Sequence, residues 1–195
     1  SVSMGAFDVP LLARHRLSVA EYYRMAEAGI FPPDARVELI DGEVIDMAPQ
    51  KSRHASAVSF LLNHLVRCVG DAGWVVCQVP LHLSENSEPE PDLMLLRPRA
   101  DRYADAHPRA EDVLLLIEVA DSSARYDREV KLPLYARHGV AHVWLVDLEA
   151  GRGRLRFYSR LEGGEYSDIS STEHPGVTPL PGLKGMAIDL SGLLG

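Results

Sequence analysis

Apolar positions recur at helical spacing in the stretch after Ser52. Ala55, Val58, Leu61, Leu62, Leu65 and Val69 form one stripe, and Gly70 and Gly73 stop it. The pattern predicts a long helix to about Val69, capped by Ser52. Trp74 to Leu83 is apolar and β-branched but interrupted at Pro80, which predicts a bent or edge strand. Ser84 to Glu90 is polar and acidic and reads as a loop. Asp92 to Leu96 is a short apolar strand, and Arg97 to Asp112 a polar connection. Val113-Leu114-Leu115-Leu116-Ile117 is a continuous apolar run, as a central strand covered on both faces requires. Asp127 to about His138 predicts a helix ended by Gly139, and His142 to Leu148 another buried strand.

The two ends follow other rhythms. Ser18 and Glu21 have capping-box spacing before a helix from Val19 to Ala28, which Gly29 ends. Arg36 to Ile40 alternates as a strand, and Asp41-Gly42 predicts a two-residue hairpin turn into Glu43 to Met47. After Gly151 the chain turns to hairpins, with Leu155–Phe157 and Tyr166–Ile169 flanking Gly163-Gly164. Val177, Leu180 and Leu183 belong to an irregular tail. Helices alternate with strands early and strands cluster late. The expected fold is α/β with a mixed central β-sheet, flanking helices and extra β-hairpins. Residues 17–195 read as a single domain behind an N-terminal extension, 1–16, in which Ser1-Val2-Ser3 reads as an expression scar before Met4.

Composition narrows the classes. Of 195 residues, 46% are hydrophobic and 25% charged, a globular balance. No apolar run reaches the roughly 18 residues of a membrane span, so no membrane partner is expected. Two cysteines, Cys68 and Cys77, make neither a disulfide framework nor a four-ligand zinc site, and a reducing cytoplasm is the expected compartment. A net charge of -8 argues against a wide basic nucleic-acid face, though not against a local groove.

The chemistry concentrates on two acids. If the strands at Asp92–Leu96 and Val113–Val119 pair antiparallel with Leu96 opposite Leu114, Asp92 falls opposite Glu118. Asp92, Met94 and Leu96 then share a face with Leu114, Leu116 and Glu118. Adjacent carboxylates repel, and a divalent cation resolves the conflict. The competing reading is a pair of solvated strand-end acids. Two observations weigh against it. Glu118 interrupts a strand that is otherwise apolar, where an acid is costly unless paired or metal-bound. Lys131, on the following helix, is one of three lysines against 17 arginines, so a merely cationic position would more readily have drawn Arg.

Glu90-Pro91-Asp92, Ile117-Glu118-Val119, Asp127 and Lys131 together resemble the PD-(D/E)xK nuclease superfamily. More narrowly, the chain resembles the Uma-type restriction endonuclease family, a domain of unknown function. Arg36-Val37-Glu38-Leu39-Ile40-Asp41-Gly42-Glu43, His54, and Gly139-Val140 leading to Val143-Trp144-Leu145-Val146-Asp147 carry that likeness in the same order, over roughly residues 17 to 190. The resemblance implies a restriction-endonuclease-like core and hydrolysis of DNA with Mg²⁺, or Mn²⁺, leaving a 5′-phosphate. Asp92 and Glu118 would be metal ligands, with the Val119 carbonyl as a third oxygen and Glu38 completing the shell or holding a second ion. Lys131 would orient the attacking water or offset charge on the phosphate. The chain departs from the superfamily pattern at Ala120, where a lysine is usual, so Lys131 takes over that role from the next helix. Pro133 complicates that helix. A duplex cut needs two centres and hence a homodimer.

Other residues carry two readings each. Glu38 is a site acid or a hairpin acid paired with Arg36 or solvent. Asp127 sets Lys131 or is a surface salt bridge. His54 contacts phosphate or packs. Gln78 faces the site or alternates outward. Arg125 and Arg128 touch backbone phosphates or are solvated. His138 and His142 have zincin-like spacing, but Gly139 breaks the helix that spacing requires. Two rivals stand beside the nuclease. One is a nuclease-fold binding or assembly module with weak or no catalysis, favoured by the acidic pI of about 5.4 and the displaced lysine. The other is a carboxylate-pair glycosidase, which leaves Lys131 without a purpose.

Overall fold

The computed structural model describes residues 12–149 and 151–195. The segment Ser1-Val2-Ser3-Met4 lies outside the described residues. Helix α1, Val19–Glu27, opens on the expected capping box: the Ser18 hydroxyl accepts from the Glu21 N–H and the Glu21 carboxylate accepts from the Ser18 N–H. Strands β1, Val37–Ile40, and β2, Glu43–Asp46, pair antiparallel around Asp41-Gly42, both at positive φ. Gly42 is required twice over, since a Cβ there would also lie 2.6 Å from the Arg16 Cβ. Helix α2 spans Ser52–Val69, with Lys51 rather than Ser52 at its N-cap. Its buried stripe is Ala57, Leu61, Leu65 and Val69, with Val58 and Leu62 packed beside it, so of the predicted stripe only Ala55 lies outside.

Six strands form the main sheet. They are β3 (Trp74–Cys77), β4 (Leu93–Leu96), β5 (Val113–Ala120), β6 (Val143–Asp147), β7 (Arg154–Glu162) and β8 (Glu165–Thr172), side by side in chain order. Only β5 and β6 pair in parallel, and every other neighbour is antiparallel. A parallel pair needs a crossover, and the helical segment 124–137, α3, supplies it. Strands β9, Val177–Pro179, and β10, Ala187–Asp189, pair within the tail that the sequence marks only as irregular. Strand β3 is shorter than expected because Gln78 turns it off with φ 54. None of the described helices is long and apolar enough to cross a membrane.

Both sheet faces are covered, which explains why β5 is buried along all eight residues. Leu93, Leu95, Leu115, Ile117 and Val119 pack with α2. Met94, Leu96, Leu116 and Leu145 pack with Leu132 and Tyr135 of α3. The β4–β5 register places Leu93 opposite Ile117 and Met94 opposite Leu116, so it runs on to Asp92 opposite Glu118 as expected. At the far end a bulge between Leu95 and Leu96 brings Leu96 opposite Val113 instead of Leu114. Leu114 is thereby turned to the α2 side, away from the face it was expected to share with Glu118.

Helix α3 is composite. Ala124–Tyr126 leads into a π-helical turn, Asp127–Lys131, and then Leu132–Arg137. The Leu132 N–H reaches the Asp127 carbonyl, five residues back. Pro133, in the first turn beyond, has no N–H to donate and its ring crowds the carbonyl four residues earlier. The wider turn before it relieves that crowding.

Candidate active site

Period-2 alternation carries the face of Leu116 on to Glu118 at the end of β5, where α3 crosses. There Lys131 reaches it. The ammonium lies 2.9 Å from Glu118 Oε2 and donates to Glu38 Oε1 at 3.0 Å, with all three side chains at least 94% buried. Glu38 comes from the β1–β2 hairpin, held at this end of the sheet by the Glu88 N–H donating to the Leu39 carbonyl. Asp92 and Glu118 are locked reciprocally across the strands. The Asp92 N–H donates to Glu118 Oε1 at 3.0 Å, and the Val119 N–H donates to Asp92 Oδ2 at 2.8 Å. His54, in the first turn of α2, lies with Nε2 3.2 Å from Asp92 Oδ1. That bond holds the imidazole pKa up against the opposing effect of burial. Its Nδ1 is buried without a hydrogen-bond partner among the described residues.

Asp127 is a member of this group and not a surface acid: it is 4% exposed and accepts from the Ser123 hydroxyl at 2.9 Å. Glu38 likewise turns to Lys131, and its hairpin reading with Arg36 or solvent falls away. The lysine displaced from β5 therefore does return to the strand end, and the π turn sets both Asp127 and Lys131 inward. Gln78 does not line the cleft. Its N–H donates to the Asp92 carbonyl, so it acts on the site through the backbone. Arg125 pairs with Glu129 on the surface and Arg128 with the buried Asp147, both outside the cleft lining. The cleft is a cavity of about 280 Å³ that also draws in Arg36, Lys51, Glu90, Asp121 and Tyr126. Of these, sequence reasoning left Lys51 and Asp121 without a role. Glu38, an acid among Val37, Leu39 and Ile40, repeats the pattern of Glu118.

Four buried acids, Glu38, Asp92, Glu118 and Asp127, face one buried ammonium. Burial pushes the Glu118 carboxyl well up. Lys131 opposes this, while Asp92, Asp127 and Glu38 add to it. Asp127 is raised too, chiefly by burial. For both, the folded pKa lies above the unfolded value of about 4. Their favourable contribution is complete below about pH 4 and is lost as the pH rises through the raised folded values. Asp127→Asn is therefore expected to gain melting temperature over the wild type as metal-free samples go from pH 4 to neutrality. A constant difference across that window would reject the strain.

Among the described residues no three His, Cys, Asp or Glu side chains form a ready-made metal cage. The donor set suits an ion that takes few carboxylates and keeps its waters, as Mg²⁺ does. A bound cation would offset the surplus of negative charge.

A family model, Uma2, described as "Putative restriction endonuclease", matches residues 19–191. No curated protein matches the chain. Among solved structures, the crystal structure of "a putative nuclease belonging to DUF820 from Anabaena variabilis" is similar with a TM-score of 0.66. The identity is 16%, over 85% of this chain and 89% of that one, and at that identity the likeness is one of fold.

Proposed function

The chain belongs to the Uma2 family, and on that footing we propose that it is an endonuclease that hydrolyses DNA phosphodiester bonds with Mg²⁺, or Mn²⁺, in this cleft. The observation that carries the reading is the convergence of Asp92, Glu118 and Lys131, distant in sequence, at one buried strand end. Asp92, Glu118 and the Val119 carbonyl would hold the ion, with Glu38 beside them. A divalent ion there would supply Lewis acidity to the attacking water and the scissile phosphate. Lys131, already fixed by two carboxylates, would donate to the phosphate as charge builds on its oxygens. Water would bond to phosphorus as the bond to the 3′ oxygen breaks, leaving a 5′-phosphate. His54 holds Asp92 in place by its hydrogen bond.

The test is cleavage of single- and double-stranded DNA with Mg²⁺, Mn²⁺ and EDTA, beside calorimetric Mg²⁺ titration of the wild type and Asp92→Asn. Metal-dependent cutting with metal uptake that Asp92→Asn weakens is expected. Metal uptake that ignores Asp92, with no cutting, returns the chain to the binding-module reading.

A further inference from the structure

Cations near the cleft are mostly spent. Lys131 is held by Glu38 and Glu118, Arg53 by Asp121 and the Leu148 carbonyl, Arg128 by Asp147 and Arg137 by Asp41. Two cations of the cleft lining stand apart. Arg36, half-buried at the start of β1, and Lys51, exposed at the N-cap of α2, have no side-chain hydrogen bond or ion pair among the described residues. Every other charged residue of the lining, apart from Lys131 and the half-buried His54, is acidic. Tyr126 adds a hydroxyl that is buried without a partner among the described residues.

A duplex-binding protein commonly engages six to ten phosphates, roughly, through Lys and Arg. This cleft offers two. Glu38, Asp92, Glu118, Asp127 and Lys131 line this cavity of about 280 Å³ and are each buried, so the reacting groups are recessed from the surface. To bring a phosphate down to Glu118, a backbone must bend into the cavity. A single strand bends freely, whereas a duplex pays an elastic cost for the same deformation.

We infer that the cleft takes single-stranded DNA, with Arg36 and Lys51 each holding one flanking phosphate. This rests on the nuclease reading above and names its substrate class. One active centre then suffices for one strand, without a partner copy.

The test is fluorescence anisotropy of a labelled single-stranded 12-mer and its duplex, with Ca²⁺ in place of Mg²⁺, across a salt series. Cleavage of both forms is measured with Mg²⁺. The single strand is expected to bind at least about ten-fold tighter than the duplex. Its log–log salt slope should be about -1.4, from about -0.7 for each of two phosphate contacts. Arg36→Gln and Lys51→Gln should each reduce the slope by about 0.7, and Arg36→Lys should keep most of the affinity. Lys51 is exposed, so its variant tests the claim without disturbing packing. Duplex binding as tight as single-strand binding, or slopes unmoved by both variants, overturns the inference while Mg²⁺-dependent cutting leaves the nuclease reading intact. No binding and no cutting of either form takes down both.

Discussion

Lys131→Met is expected to lower stability by about 3–5 kcal/mol, the range for removing one partner of a buried ion pair. The variant leaves Glu38 with the Glu90 N–H and Glu118 with the Asp92 N–H and Asp127 as partners among the described residues, both inside a space crowded with further acids. Methionine fills the lysine stem but cannot offset the charge. For a chain of this size the loss corresponds to a drop of roughly 6–20 °C in melting temperature. The drop should be smaller at pH 5 than at pH 8, because a protonated carboxyl can donate to its neighbour and relieve part of the repulsion. Cutting should fall by about 10²–10³-fold, the scale of losing one donor to developing negative charge. Adding Glu38→Gln should recover part of the stability and none of the activity. A melting temperature within 2 °C of wild type, a margin of about one kcal/mol, would mean that Lys131 does not hold the acids together.

Asp92→Asn is expected to behave in the opposite way. Asn keeps the shape and can still accept from the Val119 N–H, while a charge that pushes Glu118 up leaves the cluster. Stability in metal-free buffer should stay level or rise. Cutting should fall by about 10²-fold or more, since the amide is a poor ligand for a hard cation. Loss of activity without loss of stability separates a functional carboxylate from a structural one, because proteins commonly give up stability at sites that work. Thermal melts and single-turnover cutting rates on the same preparations decide it. A clear fall in stability with activity retained would make Asp92 a structural strand-end acid.

Much of the architecture was legible for local reasons. The apolar run Val113–Ile117 demanded burial on both faces, and it is the central strand β5. Asp41-Gly42 demanded a tight turn and makes one. An acid at the end of β5 signalled a partner, because an unpaired buried carboxylate is too costly to keep. The β4–β5 register at the site end followed from matching two apolar faces across an antiparallel pair. What stayed hidden depends on contacts between segments far apart in sequence. The bulge at Leu95/Leu96 moved Leu114 to the other face, and no local pattern announces it. Glu38 was either a site acid or a hairpin acid until the hairpin docked against the 81–91 segment and turned it to Lys131.

By itself, the sequence determined the α/β order of elements, the strand pairing that sets Asp92 against Glu118, and that a carboxylate interrupts the apolar central strand. Periodicity and turn geometry are properties of short stretches of chain, so they can be read without neighbours. Only the tertiary structure decided that Lys131 faces inward through a π turn, that Asp127 and Glu38 join it, and that Arg36 and Lys51 line the cleft without an ion pair among the described residues. Those outcomes depend on which charges end up sharing a buried space, and that is a matter of long-range packing that no single segment encodes.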